Sequence, residues 1–124
     1  MILGLGIDIE DISRFEGITE KKRLFEKCFT EKEREYISAK KNYAQTACGI
    51  YCAKEAMLKA LKTGLGGFPM TEIEVRHEDG GAPYMAFYGD LSKYMADKCA
   101  LVSISHNTDS AVAEVIIQEK GGER

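Results

Sequence analysis

The spacing of apolar positions changes several times along the chain, and each change marks an element. Met1 to Ile9 is apolar almost throughout, which predicts a strand, and its two glycines, Gly4 and Gly6, predict close approach of other backbone to one face. Ile12 and Phe15 form the apolar side of a short helix from Asp11 to Phe15. Thr19 stands where a cap belongs for a second short helix through Cys28, with Leu24 and Phe25 inward and Lys21, Lys22 and Arg23 outward. Thr30-Glu31-Lys32-Glu33 has capping-box spacing and opens a helix to about Lys40, with Tyr36 and Ile37 as its apolar contacts. A long helix then runs from Asn42 to Leu61 and stops at Thr63-Gly64. In its second half Ala53, Ala56, Met57 and Ala60 make one stripe of mostly small residues, and helix propensity agrees with that period. Such a stripe lets a helix lie close to a sheet.

The second half of the chain reads mostly as strands. Ile73 and Val75 alternate with Glu72, Glu74 and Arg76, Asp79-Gly80-Gly81 turns the chain, and a second strand starts at Pro83 and runs through Tyr84, Ala86 and Tyr88. Gly89-Asp90 opens a helix to about Cys99, with Leu91, Tyr94 and Met95 inward. Leu101–His106 and Ser110–Gln118 are strands joined by Asn107-Thr108-Asp109. The predicted order is β-α-α-α-β-β-α-β-β, an α+β fold with an antiparallel sheet packed against the long central helix. One domain spans residues 1–120, followed by a short tail, 121–124.

Composition narrows the class. A chain of 124 residues suits one domain, and a net charge of −3 argues against a dedicated nucleic-acid binder. Basic residues nevertheless cluster at Arg14, Lys21, Lys22 and Arg23, either as a solvated face or as a patch that greets an acidic partner. Cys28, Cys48, Cys52 and Cys99 include no C-x-x-C pair, and nothing reads as a secretory signal, so reduced thiols in a cytoplasmic protein are expected. No apolar run is long enough to cross a bilayer. The loop Gly64-Leu65-Gly66-Gly67 follows a helix and lacks Gly-Lys-Ser/Thr, which excludes a P-loop, although its backbone N–H groups suit a ligand phosphate.

The candidate chemistry lies in four residues. Asp8, at the end of an apolar run, either caps the following helix or ligates a metal. Glu55 and Lys59 share one helix face a turn apart, as an ordinary surface pair or as parts of a site. His106 ends a strand, where an imidazole can bond a phosphate or shuttle a proton. Two carboxylates suit Mg²⁺, which keeps waters and substrate phosphates in its shell, and a nearby lysine suits a phosphate oxygen. Together the set fits phosphoryl-type transfer.

The spacing of these residues resembles one family. Gly4-x-Gly6-Ile7-Asp8-Ile9-x-x-Ile12-x-Arg14, Phe29-Thr30-x-x-Glu33, Ala53-Lys54-Glu55-Ala56-x-x-Lys59-Ala60 and Val102-Ser103-Ile104-Ser105-His106 are similar, in order and over the whole length, to the holo-acyl-carrier-protein synthases, the small phosphopantetheinyl transferases. The resemblance implies transfer of 4′-phosphopantetheine from coenzyme A to a serine of apo-acyl carrier protein, with release of adenosine 3′,5′-bisphosphate, in fatty acid biosynthesis. It implies Asp8 and Glu55 as ligands of Mg²⁺ (or Mn²⁺), and Asp8, Glu55 and Lys59 as the catalytic set. Glu55 would accept the serine proton directly or through water. Lys59, Gly64, Pro83, Ser105 and His106 would contact coenzyme A, with Pro83 in a Gly-x-Pro turn near the adenine. Arg14, Lys21, Lys22 and Arg23 would face the carrier protein. The family is typically a homotrimer with sites between subunits. One position departs: Ile50 stands where members often carry arginine, leaving Lys40, Lys41 or Lys62 as candidates for that phosphate contact.

Overall fold

Gly4 and Gly6 set the architecture. In a computed structural model that describes residues 1–62 and 67–121, strand β1 (Ile2–Asp11) lies directly on helix α3 (Tyr43–Leu61). A Cβ at Gly4 would overlap the Ala60 carbonyl oxygen, and one at Gly6 the Ala56 carbonyl oxygen. The stripe of small residues on α3 is the other half of this fit: Ala53, Ala56, Met57 and Ala60 are all buried. Backbone thus meets backbone, and every residue of β1 is fixed relative to the helix.

The sheet is three-stranded and antiparallel, in the order β1-β5-β4, with β4 at Lys98–His106 and β5 at Ser110–Glu119. Asp8 stands opposite Ala113, and His106 opposite Ala111. β2 (Ile73–His77) and β3 (Pro83–Phe87) form a separate hairpin in which His77 faces Pro83. Among the described residues there are three shorter α-helices: α1 (Lys22–Cys28), α2 (Glu31–Ser38) and α4 (Gly89–Tyr94). The core lies between α3 and the inner face of the sheet, where Ala111, Ala113, Val115 and Ile117 of β5 are buried, and it extends under α1 and α2 through Phe25, Phe29 and Ile37. The α+β class and the order of elements agree with the sequence reading.

Several local expectations are corrected. Thr19 does not cap a helix: Ile18–Glu20 is a single 3₁₀ turn, and α1 begins at Lys22 with no side-chain cap. The first short helix is also 3₁₀, at Ile12–Phe15. Leu24 and Tyr94 are exposed, and Phe25, Leu91 and Met95 take the buried positions. Helix α4 ends at Tyr94 rather than near Cys99, because Lys98, Cys99 and Ala100 pair with β5 and lengthen β4. The ladder with β5 there outweighs local helix preference. Lys62, at φ 61°, takes the left-handed conformation that caps α3. The expected stop at Thr63-Gly64 lies outside the described residues.

Candidate functional site

Asp8 belongs to the inward-facing set of β1 positions and shares that face with Gly4 and Gly6. The glycines bring its carboxylate against α3, where Lys59 donates a 3.1 Å hydrogen bond to Oδ1 and a second, also 3.1 Å, to the Ile7 carbonyl. Asp8 is 9% exposed and Lys59 55%, so the pair opens to solvent on the lysine side. Asp8 Oδ2 is buried and has no hydrogen-bond partner, alone in this among the buried side-chain polar atoms of the described residues. A buried carboxylate oxygen without a partner is costly, and the remedy is a ligand for its free lone pairs.

Glu55 lies one turn before Lys59 on the same helix and is half-buried. Its near neighbour is the Tyr51 hydroxyl. Burial, and next the charge of Glu55, push that phenol up to about 12. Above the Tyr51 ring lies the Arg14 guanidinium, 5.1 Å from the centroid, itself paired with Glu10. A cavity of about 500 Å³ opens beside Glu55, lined among others by Leu24, Cys28, Tyr51 and Met70. Glu55 therefore faces an open space that α1 borders through Leu24, Glu26, Lys27 and Cys28. Arg14, Lys21, Lys22 and Arg23 are all exposed.

A second cavity, about 290 Å³, lies toward the N-terminal half of α3, lined by Tyr36, Gln45, Ile50, His77, Pro83 and His106 among others. It unites two residues singled out in the sequence, Pro83 and His106. His106 Nε2 is 3.0 Å from the Gln45 side-chain amide, which fixes the ring. Ile50 is fully buried at the cavity wall, where an arginine would bring a cation. Ser105, next to His106, points to the other face of the sheet, in a shallow groove with Ile9 and Val112. Gly64 lies outside the described residues. The chain thus carries two clusters at different heights along α3, Asp8–Glu55–Lys59 and Pro83–His106. Between Gln45 and Lys59 the helix rises about 21 Å.

Sequence reasoning missed Tyr36, Gln45 and His77. Their place in the second cavity follows from the β2–β3 register and the packing of α2 on the hairpin, and the sequence signal for them was only the Gly80-Gly81 turn that sets His77 opposite Pro83.

A third cluster is closed. Thr30 and Glu33 make the predicted capping box: the Thr30 N–H donates to Glu33 Oε1, and the Glu33 N–H to Thr30 Oγ1. Glu33 then does more than cap. Lys54 Nζ lies 2.5 Å from Oε1 and 2.8 Å from the Cys28 carbonyl, and the Val75 N–H donates to Oε2 at 2.6 Å. Both side chains are fully buried. Burial pushes the Glu33 carboxyl up and the Lys54 ammonium down, and each charge opposes the shift of the other.

The chain resembles known proteins over nearly its full length. The family model described as the 4′-phosphopantetheinyl transferase superfamily matches residues 4–114. A holo-[acyl-carrier-protein] synthase of Geobacter metallireducens is 41% identical over 95% of this chain and 98% of its own, and one of Treponema denticola is 37% identical over 95% and 99%. A crystal structure of the Bacillus anthracis holo-(acyl-carrier-protein) synthase, in complex with CoA (3′,5′-ADP), superposes with a TM-score of 0.82 at 33% identity, covering 97% of this chain and 99% of that one. The Helicobacter pylori enzyme in complex with coenzyme A gives 0.79 at 26% identity, over 92% and 99%.

Proposed function

The chain belongs to the holo-[acyl-carrier-protein] synthases of the 4′-phosphopantetheinyl transferase superfamily, and we propose that it transfers the 4′-phosphopantetheine of coenzyme A to a serine of apo-acyl carrier protein. The serine oxygen attacks the phosphorus that carries pantetheine. The bond from that phosphorus to the bridging oxygen breaks, and adenosine 3′,5′-bisphosphate leaves. The serine proton passes to Glu55, directly or through water. Lys59, already aimed at Asp8 and open to solvent, neutralises charge on the diphosphate and the leaving oxygen. His106, held by Gln45, contacts the donor's phosphates.

The observation that carries the reading is the bare Oδ2 of Asp8. A buried anionic oxygen with no donor, paired with a lysine that itself stands one helical turn from a second carboxylate, Glu55, fits a hard divalent cation such as Mg²⁺ or Mn²⁺. Among the described residues no three acidic, histidine or cysteine side chains gather into one potential metal site, so Asp8 and Glu55 would be its protein ligands and water and diphosphate oxygens would complete the shell. When bound, the ion neutralises charge on the diphosphate.

A homotrimer with the site shared between subunits accounts for two features. The outer face of the sheet carries Leu5, Ile7, Ile9 and Leu101, each more than half exposed, with Leu5 and Leu101 both in register with Ile116. A contiguous apolar patch of that kind marks an assembly surface. The two clusters on α3 stand apart within one chain, and a neighbouring copy would bring the coenzyme A half of one subunit to the carboxylates of the next. The carrier protein would dock on Arg14, Lys21, Lys22 and Arg23, by charge complementarity to an acidic helix. No helix among the described residues is long and apolar enough to cross a membrane, and we assign the enzyme to the cytoplasm, where coenzyme A and carrier protein meet.

The test is the mass of the carrier. Incubated with the chain, coenzyme A and Mg²⁺, an apo-acyl carrier protein should gain one phosphopantetheine group. Wild-type activity alongside a folded but inactive Glu55→Gln variant is the expected pattern. No gain with several apo carriers would overturn the assignment.

A further inference from the structure

His77 and Tyr36 have no part in the chemistry above, yet they form one wall of the cavity that holds Pro83 and His106. Their rings stack with centroids 4.3 Å apart and planes within 7° of parallel. Tyr36 comes from α2 and His77 from the end of β2, so the stack ties the hairpin to the helix and holds its position. His77 is also the cross-strand partner of Pro83, and side chains directly opposite on a hairpin lie side by side. A flat group seated at Pro83 therefore meets the imidazole.

We propose that the Tyr36–His77 stack is an aromatic platform for the purine of the donor, with His77 as the side chain that positions it. The proposal rests on the reading of this chain as a coenzyme A-dependent transferase. Three features support it. The polar side chains that line this cavity beside the stack, Gln45, Thr46 and His106, suit the edge of a base and its phosphates, and among the lining residues only the stack and His106 offer π-faces. Burial, together with the charge of Lys40, holds His77 below its ordinary pKa, so that the ring meets the base as a neutral imidazole. Lys40 sits 4.6 Å from the Tyr36 centroid, a cation beside the platform on the side of the molecule where Ile50 leaves the wall uncharged.

Base–aromatic stacking contributes enough that truncating one partner weakens binding about tenfold. The expected result is therefore a His77→Ala variant whose KM for coenzyme A, and Kd for adenosine 3′,5′-bisphosphate by calorimetry, rise about tenfold, while the KM for carrier protein holds and kcat falls much less. His77→Phe, which keeps a flat ring, should recover most of the affinity. A merely structural role predicts another pattern: a lower melting temperature and lower kcat in both variants, with bisphosphate affinity unmoved per folded molecule. That pattern would overturn the proposal. If His77→Ala does not fold, His77→Phe against His77→Leu makes the same comparison, ring against no ring. The two readings fail separately. Carrier modification by wild type with no effect of His77 on bisphosphate affinity removes the platform alone. Bisphosphate affinity that depends on His77 in a chain that modifies no carrier removes the transferase and leaves the platform.

Discussion

Two carboxylate–lysine pairs take their lysines from helix α3, within two turns of each other, and reach carboxylates on α2 and β1; they are built in opposite ways. In Glu33–Lys54 every valence is used: the carboxylate takes Lys54 and the N–H groups of Thr30 and Val75, and the ammonium also reaches the Cys28 carbonyl and lies 5.5 Å from the Phe29 centroid. Nothing is left for a ligand, and no water-exposed edge remains. In Asp8–Lys59 one carboxylate oxygen is unsatisfied and the lysine is more than half exposed. A carboxylate and a lysine make a bolt in one place and a socket in the other. What separates them is completion of the hydrogen-bond shell rather than burial of the acid, since both acids are buried.

The largest effect should come from breaking the bolt. Lys54→Met leaves the buried Glu33 charge without its cation and should cost about 3–5 kcal/mol of stability, read as a large fall in the denaturation midpoint. Adding Glu33→Gln removes the stranded charge and should restore much of that loss. Were Lys54→Met nearly neutral, Glu33–Lys54 would not be the structural half of the comparison.

Asp8→Asn should act the other way round. Transfer should fall at least 100-fold, about 2.7 kcal/mol of transition-state stabilisation, while the melting temperature holds or rises, because the variant relieves a buried, under-bonded carboxylate. An equal loss of stability and activity would make Asp8 another structural acid. Lys59→Ala should be milder: a solvent-facing ion pair contributes about 0–1 kcal/mol to stability, so the fold should hold, and transfer should drop about tenfold or more from lost charge neutralisation. The smallest effects belong to the docking patch. Single charge-removing changes at Lys21, Lys22 or Arg23 should raise the KM for carrier protein a few-fold, with the penalty shrinking as salt is added. A salt-independent penalty would place the carrier elsewhere.

The two pairs also differ in how legible they were. Asp8, Glu55 and Lys59 stood out in the sequence because a carboxylate at the end of an apolar run and an i,i+4 pair beside an alanine stripe are local signals. The Glu33–Lys54 pair was hidden. Its capping box was legible, but a capping box looks the same whether its glutamate then faces water or the core. Only the packing of α2 and β2 on α3 decides that, and it is a long-range fact. The order of elements was readable throughout, because turns and periodicity are local. The end of α4 was not, since β5 claims Lys98 to Ala100. Leu5, Ile7 and Ile9 read as part of an apolar strand with one closely packed face, and they lie on its other face, outward on the sheet. An apolar strand face covered by another copy of the chain looks, in sequence, like one covered by its own helix. The platform of Tyr36 and His77 needed the register opposite Pro83.

The most direct test of the central claim is metal binding itself. Mn²⁺ titrated into the chain in the presence of adenosine 3′,5′-bisphosphate can be followed by the electron paramagnetic resonance of the free ion. Wild type and Lys54→Met/Glu33→Gln, compared at equal folded concentration, should bind with similar affinity, and Asp8→Asn should bind at least tenfold more weakly. Undiminished Mn²⁺ affinity in folded Asp8→Asn would contradict the account, because the bare oxygen on which it stands would then hold no ion.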